Sequence, residues 1–431
     1  MVRSVSTSVE SQATHVFFVR LNYPLVLFFI VVVALVIRIS VVAYFQGLNV
    51  VPDGEAQPDQ LDYEAFAYQL SSGHGYTLPS GEPSARRPPG TSFVLAPIYM
   101  LVGRSYAAGR IWFCLLSAAT CAAAFWVGTK LFDVRAGIIS ALCLAVTPAH
   151  FYYNLHFVSE VPYALTITVV VGLALTALDA GSRYGRLLSV LAGGVLGLAV
   201  LIRPQAILVI PIAWLMVVLA YRRIDRRVVE RLLIVTLCFT LVVGSWMTRN
   251  FMVLGKPAVS TVAGPTFWGA HNEMVLQNPL LIGSWIPVSE MEKLGYSIPK
   301  DEVERDNVSW QKGKQFILEH WSDLPSLELK KLMRLSEVFL ETPNLPVRWA
   351  FAVSWLVTAP FACLGLVVVL RKSVERGLVS ALPLLAMIGT SLIFYGSLRF
   401  RHSTEPLLVV FAACGAVYLF DLMRGARAQI Y

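Results

Sequence analysis

Long apolar runs constrain this chain more than any other feature of its sequence. Ten stretches are apolar over about 20 residues, the length that an α-helix needs to cross the hydrocarbon core of a bilayer. They lie at residues 21–45, 110–131, 137–153, 159–178, 187–202, 205–221, 232–247, 349–370, 378–396 and 406–422. A chain of 431 residues that is 56% hydrophobic and 14% charged is far more apolar than a soluble globular protein. We therefore expect an all-α polytopic membrane protein with about ten transmembrane helices.

In the short connections between these runs, the basic residues fall mainly in alternate ones. If the N-terminus is cytoplasmic, the inner connections contain Lys130, Arg135, Arg183, Arg186, Arg222, Arg223, Arg226, Arg227, Arg231, Arg371, Lys372, Arg376, Arg424 and Arg427. Lysine and arginine concentrate on the cytoplasmic side of membrane proteins, so both termini are predicted to be cytoplasmic. The net charge of +8 then reflects membrane orientation, and nucleic acid is not an expected partner.

The polar intervals divide the chain into four parts. Residues 1–20 form a polar tail, predicted to be cytoplasmic and disordered. Residues 21–249 hold seven transmembrane helices and the outer loop 46–92. Residues 250–348 form a second outer region, interpreted as a cap over the first loop, and residues 349–431 hold three helices and a short cytoplasmic tail. Within the first loop, residues 59–70 have helical periodicity and predict a helix on the membrane surface, whereas 91–102 are too short to span and predict a re-entrant or interfacial segment.

The first loop carries acids and bases in close succession. Asp59 and Asp62 lie one helical turn apart, and Arg86 and Arg87 follow before a Pro-Pro-Gly sequence. Transfer of a group from a lipid phosphate needs a base for the acceptor hydroxyl and cations for the departing phosphate. Asp59 is the candidate base, with Asp62 as its neighbour or rival, and we expect the two carboxylates to raise each other's proton affinity.

Several arginines occur where the orientation does not require them. They are predicted at the outer ends of helices: Arg86, Arg87, Arg203, Arg249, Arg399 and Arg401. Recognition of a phosphate would place them there, and the alternative is that each pairs with a lipid headgroup or a nearby acid. Arg38, near the far end of the first helix, is expected to reach the interface or to face the site.

The start of the fourth predicted helix is a second candidate site. Ser159 as N-cap and Glu160 in the first turn are typical of an ordinary helix start, so Glu160 has both a structural and a functional interpretation. His156 and Glu160 are weak candidate metal ligands, and the sequence leaves a divalent metal open, with no other cofactor expected. Motifs of soluble enzymes (P-loop, GxSxG, HExxH, GxGxxG) are absent from the sequence.

The order of these residues resembles the polytopic GT-C glycosyltransferases, which include bacterial aminoarabinose and mannose transferases that use polyprenyl-phosphate sugars. The resemblance spans nearly the whole chain. It lies in Asp59-x-x-x-Tyr63, Arg87–Pro88–Pro89–Gly90, Ser159–Glu160-x-Pro162, Leu201–Ile202–Arg203–Pro204, Trp246–Met247–Thr248–Arg249–Asn250 with Gly255, and Arg399–Phe400–Arg401–His402 leading into Glu405–Pro406.

The resemblance implies transfer of a sugar from a polyprenyl-phosphate donor to a lipid, glycan or protein acceptor, with inversion, at the extracytoplasmic face of the inner membrane. It implies that Asp59 is catalytic and that Arg87 and Arg203 lie near the lipid phosphate. Arg86 stands where some relatives have an acidic metal ligand, which puts a bound metal in doubt. The full donor-phosphate set is Arg86, Arg87, Arg203, Arg399 and Arg401, and the other candidate substrate contacts are Tyr63, Glu160, Arg249, Asn250 and His271.

Two other functions remain open at this stage. A flippase or scramblase of lipid-linked saccharides would share the basic cluster, but it should also have polar residues along the spans, and the sequence has few. A polysaccharide polymerase or ligase would use a diphosphate-linked donor and depend more on arginines than on a loop aspartate.

Overall fold

The computed structural model describes residues 22–54, 57–219, 225–293, 295–342 and 344–428. The predicted tail at residues 1–20 lies outside this range. The described chain is helical, apart from an isolated β-bridge between Thr77 and Pro83. Its α-helices are α1 (Tyr23–Phe45), α2 (Asp59–Ser71), α3 (Gly90–Val102), α4 (Tyr106–Leu131), α5 (Val134–Val146), α6 (Pro148–Tyr152), α7 (Glu160–Asp179), α8 (Ser182–Ile202), α9 (Val209–Leu219), α10 (Arg226–Leu254), α11 (Ala263–Ala270), α12 (Glu273–Gln277), α13 (Val288–Lys293), α14 (Glu302–Glu319), α15 (Leu324–Leu335), α16 (Leu345–Lys372), α17 (Val374–Ile393) and α18 (Leu398–Ala428).

Eight of the described helices are long and apolar enough to cross a membrane: α1, α4, α7, α8, α10, α16, α17 and α18. A ninth span is formed if the pair α5 and α6, bent by 54° at Thr147, counts as one. The predicted fold class is confirmed, but ten full spans were expected. The difference lies partly at Pro204–Leu219, a 3₁₀ helix followed by α9, which is shorter than a full span. At about 1.5 Å per residue, this segment is shorter than the hydrocarbon core.

Helix α18 packs closely on α16 because both helices carry glycine at their contact. A Cβ atom at Gly365 would lie 1.7 Å from the carbonyl oxygen of Phe411, and one at Gly415 would lie 2.3 Å from the carbonyl oxygen of Phe361. Small residues allow membrane helices to approach closely and to gain dispersion contacts. This packing places the start of α18, and with it Arg399, beside the other site-bearing elements.

Arg38 lies inside the bundle, where it contacts the broken end of α5. Its Nη1 donates to the carbonyl of Ala145 at 3.3 Å, its Nη2 donates to that of Leu144 at 3.2 Å, and its Nε donates to the hydroxyl of Ser117 at 2.7 Å. The last carbonyls of a helix have no partner within the helix, and Pro148 prevents α5 from continuing. The sequence prediction that Arg38 reaches the interface or the site is therefore wrong. Its guanidinium caps a helix end within the membrane bundle.

The long connections meet at one end of the bundle, called the loop end below. It holds α2, the segment 72–89 and the segment 255–344, whose helix α15 crosses the ends of α17 and α18. There Lys331 Nζ donates to the carbonyl of Leu392 at 2.9 Å, and Arg401 Nη1 donates to that of Glu337 at 2.7 Å. The opposite end carries ion pairs such as Arg376–Asp179. The division of the chain at residues 249 and 349 stays a prediction.

Candidate active site

A cavity of about 280 Å³ opens at the loop end between segments that are far apart in sequence. Helix α2 contributes Asp59 and Tyr63, the loop before α3 contributes Arg87, and the start of α18 contributes Arg399. The rest of the lining comes from Ser159, the turn between α8 and α9, the segment 260–266 and the end of α17. Charged side chains from these separate segments therefore line the same cavity.

Guanidinium groups and carboxylates alternate around this cavity. Asp59 Oδ1 lies 2.9 Å from Arg87 Nη2, and Asp59 Oδ2 lies 3.2 Å from Arg399 Nη2. Arg399 Nε then lies 2.6 Å from Glu160 Oε1, and Arg203 Nη1 lies 3.0 Å from the same oxygen. Arg399 thus joins the carboxylate of α2 to that of α7.

Asp62 extends the same network towards the surface. Its Oδ2 lies 2.8 Å from Arg87 Nε and 3.4 Å from Arg86 Nε. We call this set the arginine–carboxylate network; its members are Asp59, Asp62, Glu160, Arg86, Arg87, Arg203 and Arg399. Four guanidiniums and three ionised carboxylates leave one positive charge in excess, so the network as a whole attracts an anion.

The protonation of Asp59 differs from the prediction made from the sequence. Burial alone would raise the pKa of Asp59, but the guanidiniums of Arg87 and Arg399 outweigh it and hold the pKa below its usual value. Burial would lower the pKa of Arg87, and the carboxylates of Asp59 and Asp62 instead raise it. Asp59 is therefore an ionised carboxylate. The expectation that Asp62 raises its proton affinity is wrong because the nearer charges are positive.

Tyr63 lies against this carboxylate at the cavity wall. Burial and then the charge of Asp59 raise the pKa of Tyr63 to about 12, so its phenol is neutral. Its backbone carbonyl accepts a hydrogen bond from Ser92 Oγ at 2.9 Å, which ties α2 to α3. A bidentate ion pair between Glu64 and Arg104 makes a further contact at 2.7 Å. These contacts fix the helix that presents Asp59 to the cavity.

Close packing at Gly90 brings two of the arginines together. A Cβ atom at Gly90 would lie 2.6 Å from the backbone nitrogen of Ile202, so only glycine allows the start of α3 to approach the end of α8 this closely. Arg87 precedes this contact and Arg203 follows it. The Arg87–Pro88–Pro89–Gly90 sequence thus brings its arginine beside that of the Arg203–Pro204 turn.

The side chains at the start of α7 contact the arginine–carboxylate network instead of capping their own helix. The sequence predicts Ser159 as a side-chain N-cap, but its hydroxyl makes no cap bond and instead accepts from Arg203 Nη1 at 3.0 Å. Glu160 is 2% exposed, and its Oε2 has no hydrogen-bond partner in the described protein. The functional interpretation of Glu160 therefore agrees with its position better than the capping one.

Apart from the weak metal candidate His156, four predicted site residues neither line the cavity nor belong to the arginine–carboxylate network. Arg249 donates to the backbone carbonyls of Tyr76 and Ser84, both at 2.8 Å, and the amide of Asn250 donates to the carbonyl of Ala258 at 2.7 Å. Arg401 donates to backbone carbonyls near the end of α15 and lies 3.9 Å from the ring centroid of Trp355. These three residues hold backbone segments together, and direct contact with a substrate does not follow from their positions.

His271 is the fourth of these residues and lies buried between α11 and α15. Its Nδ1 is 2.8 Å from the carbonyl of Phe267, and its Nε2 is 3.0 Å from Nζ of Lys331. Burial and the nearby charge of Lys331 lower the pKa of His271 to about 4. The neutral ring donates through Nδ1 and accepts through Nε2, so it links two helices instead of reaching the cavity.

The predicted weak metal ligands do not form a cation site in this geometry. Oε1 of Glu160 already accepts from Arg203 and Arg399, whose charges repel a metal ion. Burial, the largest effect, lowers the pKa of His156 to about 4, and its Nδ1 has no hydrogen-bond partner in the described chain. Among the described residues, a group of potential metal ligands lies elsewhere. It consists of Glu273, Glu319 and His320, and both carboxylates are exposed.

Sequence reasoning missed several parts of the cavity wall. Gln205, which donates to Ser403 Oγ at 3.0 Å, lines it together with residues 260–266. The Arg203–Pro204 turn could have drawn attention to Gln205. Ser260 and Thr266 carry no such signal because their position depends on how the second long connection folds back over the first.

One family model matches part of this chain. Residues 86–247 match the family model described as dolichyl-phosphate-mannose-protein mannosyltransferase. The matched segment includes Arg86, Arg87, Glu160 and Arg203, and excludes Asp59 and Arg399. No curated protein matches the chain significantly in sequence.

Solved structures show the fold. The chain superposes on the oligosaccharyltransferase of Archaeoglobus fulgidus in its apo form with a TM-score of 0.56 and 13% identity, covering 96% of this chain and 52% of that one. It thus spans about half the length of that protein. ArnT from Cupriavidus metallidurans in the apo state is also similar, with a TM-score of 0.42 and 17% identity over 89% of this chain and 77% of that one.

Proposed function

From its GT-C fold and its match to a mannosyltransferase family model over residues 86–247, we propose that this chain is a membrane glycosyltransferase with a polyprenyl-phosphate-linked donor. The observation that carries the proposal is the arginine–carboxylate network around the cavity, with its excess of one positive charge and an aspartate at its edge. The acceptor is a lipid, glycan or protein hydroxyl.

The predicted orientation complements this proposal. Among the short connections between the spans, those at the opposite end contain most of the basic residues. The positive-inside rule assigns that end to the cytoplasm. The loop end then faces the extracytoplasmic side of the inner membrane. A lipid-linked donor would present its phosphate at this level, beside the mouth of the cavity.

The network offers both chemical functions that the transfer needs. The acceptor oxygen attacks the anomeric carbon as its proton passes to the Asp59 carboxylate, and the bond between that carbon and the phosphate oxygen breaks. Arg87, Arg203 and Arg399 stabilise the negative charge of the departing polyprenyl phosphate. Direct displacement of this kind inverts the anomeric carbon.

Two guanidiniums balance the negative charge of the ionised Asp59 carboxylate before any donor binds. This pairing sets the order of binding. A phosphate that engages Arg87 and Arg399 competes with Asp59 for the same donors. The carboxylate is then less strongly held and becomes more basic, since the guanidiniums are what keep its pKa low. Donor binding therefore precedes activation of the acceptor.

The test replaces Asp59 by Asn in cells that lack the wild-type protein. We expect transfer to fall by about 10³-fold, because an amide cannot accept the proton, with membrane insertion unchanged. Mass spectrometry of envelope lipids and glycans would show one sugar missing and a lipid-linked donor accumulating. Glu82→Gln is the matched control, since Glu82 is an exposed acid of the same loop that does not line the cavity.

The other outcomes identify the competing functions. If Asp59→Asn transfers the sugar at the wild-type rate, Asp59 is not the base. A flippase would leave the saccharide on its lipid and would need no carboxylate, so the variant would still translocate it. A polymerase or ligase would lose activity in Arg87→Ala but retain it in Asp59→Asn.

A further inference from the structure

The backbone that carries Arg86 and Arg87 is held by a residue from a distant part of the chain. Glu302, at the start of α14, accepts from the Ala85 amide through Oε1 at 2.8 Å and from Ser84 Oγ through Oε2 at 2.7 Å. Ser84 Oγ in turn accepts from the Arg86 amide at 3.0 Å. One carboxylate therefore fixes the two residues that precede the arginine pair.

Other groups complete this support from separate segments. The carbonyl of Ser84 accepts from Arg249 on α10, and the carbonyl of Ala85 accepts from the Thr261 amide at 2.9 Å. Tyr76 OH donates to the carbonyl of Arg87 at 2.9 Å. Ser84 and Ala85 are fully buried, so these polar groups depend on protein partners rather than on water.

We propose that Glu302 is a positioning residue for the donor phosphate, because it fixes the loop from which Arg87 reaches the cavity and Arg86 reaches Asp62. Its own carboxylate contacts neither arginine side chain among the ion pairs of the described residues. It acts through the backbone of residues 84–86. The inference rests on the proposed function, since it assigns the phosphate to the arginines that Glu302 orients.

The position of Thr261 gives this support a second role. Thr261 belongs to the segment that holds Ala85, and its neighbours Ser260 and Val262 line the same cavity as Arg87. The segment that borders the cavity is therefore bonded directly to the loop that carries the arginine pair.

The experiment measures binding of undecaprenyl phosphate to the purified full-length protein in detergent. We expect Glu302→Ala to raise Kd about tenfold, the loss typical of a hydrogen-bonded charged group. Glu302→Gln should stay within about twofold of the wild type because the amide can still accept from Ala85 and meet the Ser84 hydroxyl. Glu304→Gln, an exposed acid of the same helical turn, is the matched control and should not change Kd.

Hydrogen exchange at the Ala85 and Arg86 amides provides a readout that needs no ligand. Exchange should accelerate in Glu302→Ala and remain slow in Glu302→Gln and Glu304→Gln. If Glu302→Ala does not fold, Ser84→Ala tests the same contact and should raise Kd about tenfold, since it removes both the hydrogen bond to the Glu302 carboxylate and the one accepted from the Arg86 amide.

Arg87→Ala separates failure of this inference from failure of the proposed function. If Arg87→Ala weakens binding and Glu302→Ala does not, Glu302 is not a positioning residue. If Arg87→Ala binds like the wild type, the phosphate assignment fails. The exchange rates of residues 85 and 86 then decide whether Glu302 holds the loop, and unchanged exchange in Glu302→Ala overturns the inference.

Discussion

Two arginine sites in this bundle are both largely shielded from solvent, yet their partners differ. Arg38 is fully buried and donates to backbone carbonyls, the Ser117 hydroxyl and the Cys121 thiol, and in the described chain it pairs with no carboxylate. Arg399 pairs with Asp59 and Glu160 and borders a cavity. The neutral acceptors of Arg38 are held in place by the protein, so a ligand cannot replace them. The carboxylates that pair with Arg399 border a cavity, where phosphate oxygens can replace them as its partners.

The difference shows how a structural arginine can be distinguished from a binding arginine in a membrane protein. The guanidinium of Arg38 has five protein acceptors, two of which are the carbonyls of Leu144 and Ala145 at the end of the broken helix. At the arginine–carboxylate network, one positive charge is in excess, and one oxygen of Glu160 has no hydrogen-bond partner in the described protein. The first arrangement is complete without a ligand, and the second attracts one.

The strongest test of this comparison is Arg38→Leu. The change leaves the carbonyls of Leu144 and Ala145 without donors and removes one of the two donors to the Ser117 hydroxyl, so we expect a loss of about 3 kcal/mol in stability. Thermal unfolding in detergent would measure the loss. Protein that still folds should bind undecaprenyl phosphate like the wild type, and a loss of binding at unchanged stability would contradict the structural assignment.

Arg399→Gln should have the opposite effects. Glu160 would keep Arg203 as a partner and Asp59 would keep Arg87, so unfolding should change by less than it does in Arg38→Leu. Loss of one charged partner should raise Kd for undecaprenyl phosphate about 30-fold. Equal effects of Arg38→Leu and Arg399→Gln on binding would remove the distinction between the two sites.

A third effect concerns pH and the link between α11 and α15. The pKa of His271 is lowered to about 4 in the folded state from about 6.5 in the unfolded chain, so the unfolded chain binds more protons between these values. Stability therefore falls as pH drops from about 6.5 to 4, by up to about 1.4 kcal/mol per pH unit. Amide hydrogen exchange in α15, measured as a function of pH, would report this loss of stability. His271→Gln should reduce the slope of stability against pH. An unchanged slope would show that other groups cause it.

The prediction from sequence was good where a local pattern carried the information. Helix α2 was predicted at residues 59–70 and is found at Asp59–Ser71, and the short apolar helix at 91–102 is found at Gly90–Val102. Both have clear periodicity or clear glycine boundaries. Arg249, Asn250, Arg401 and His271 were predicted site residues that lie outside the cavity, and their partners are backbone groups and a lysine that no local pattern reveals.

The sequence by itself determined the class of fold, since long apolar runs can satisfy their backbone groups within a bilayer only as helices. It also indicated which charged residues gather at one end, through the uneven distribution of lysine and arginine. Only the tertiary structure decided which arginines share a cavity with Asp59, that Arg38 caps a broken helix, and that Glu302 holds the loop of Arg86 and Arg87. These contacts join residues up to 340 positions apart, and which of them form depends on how the helices pack.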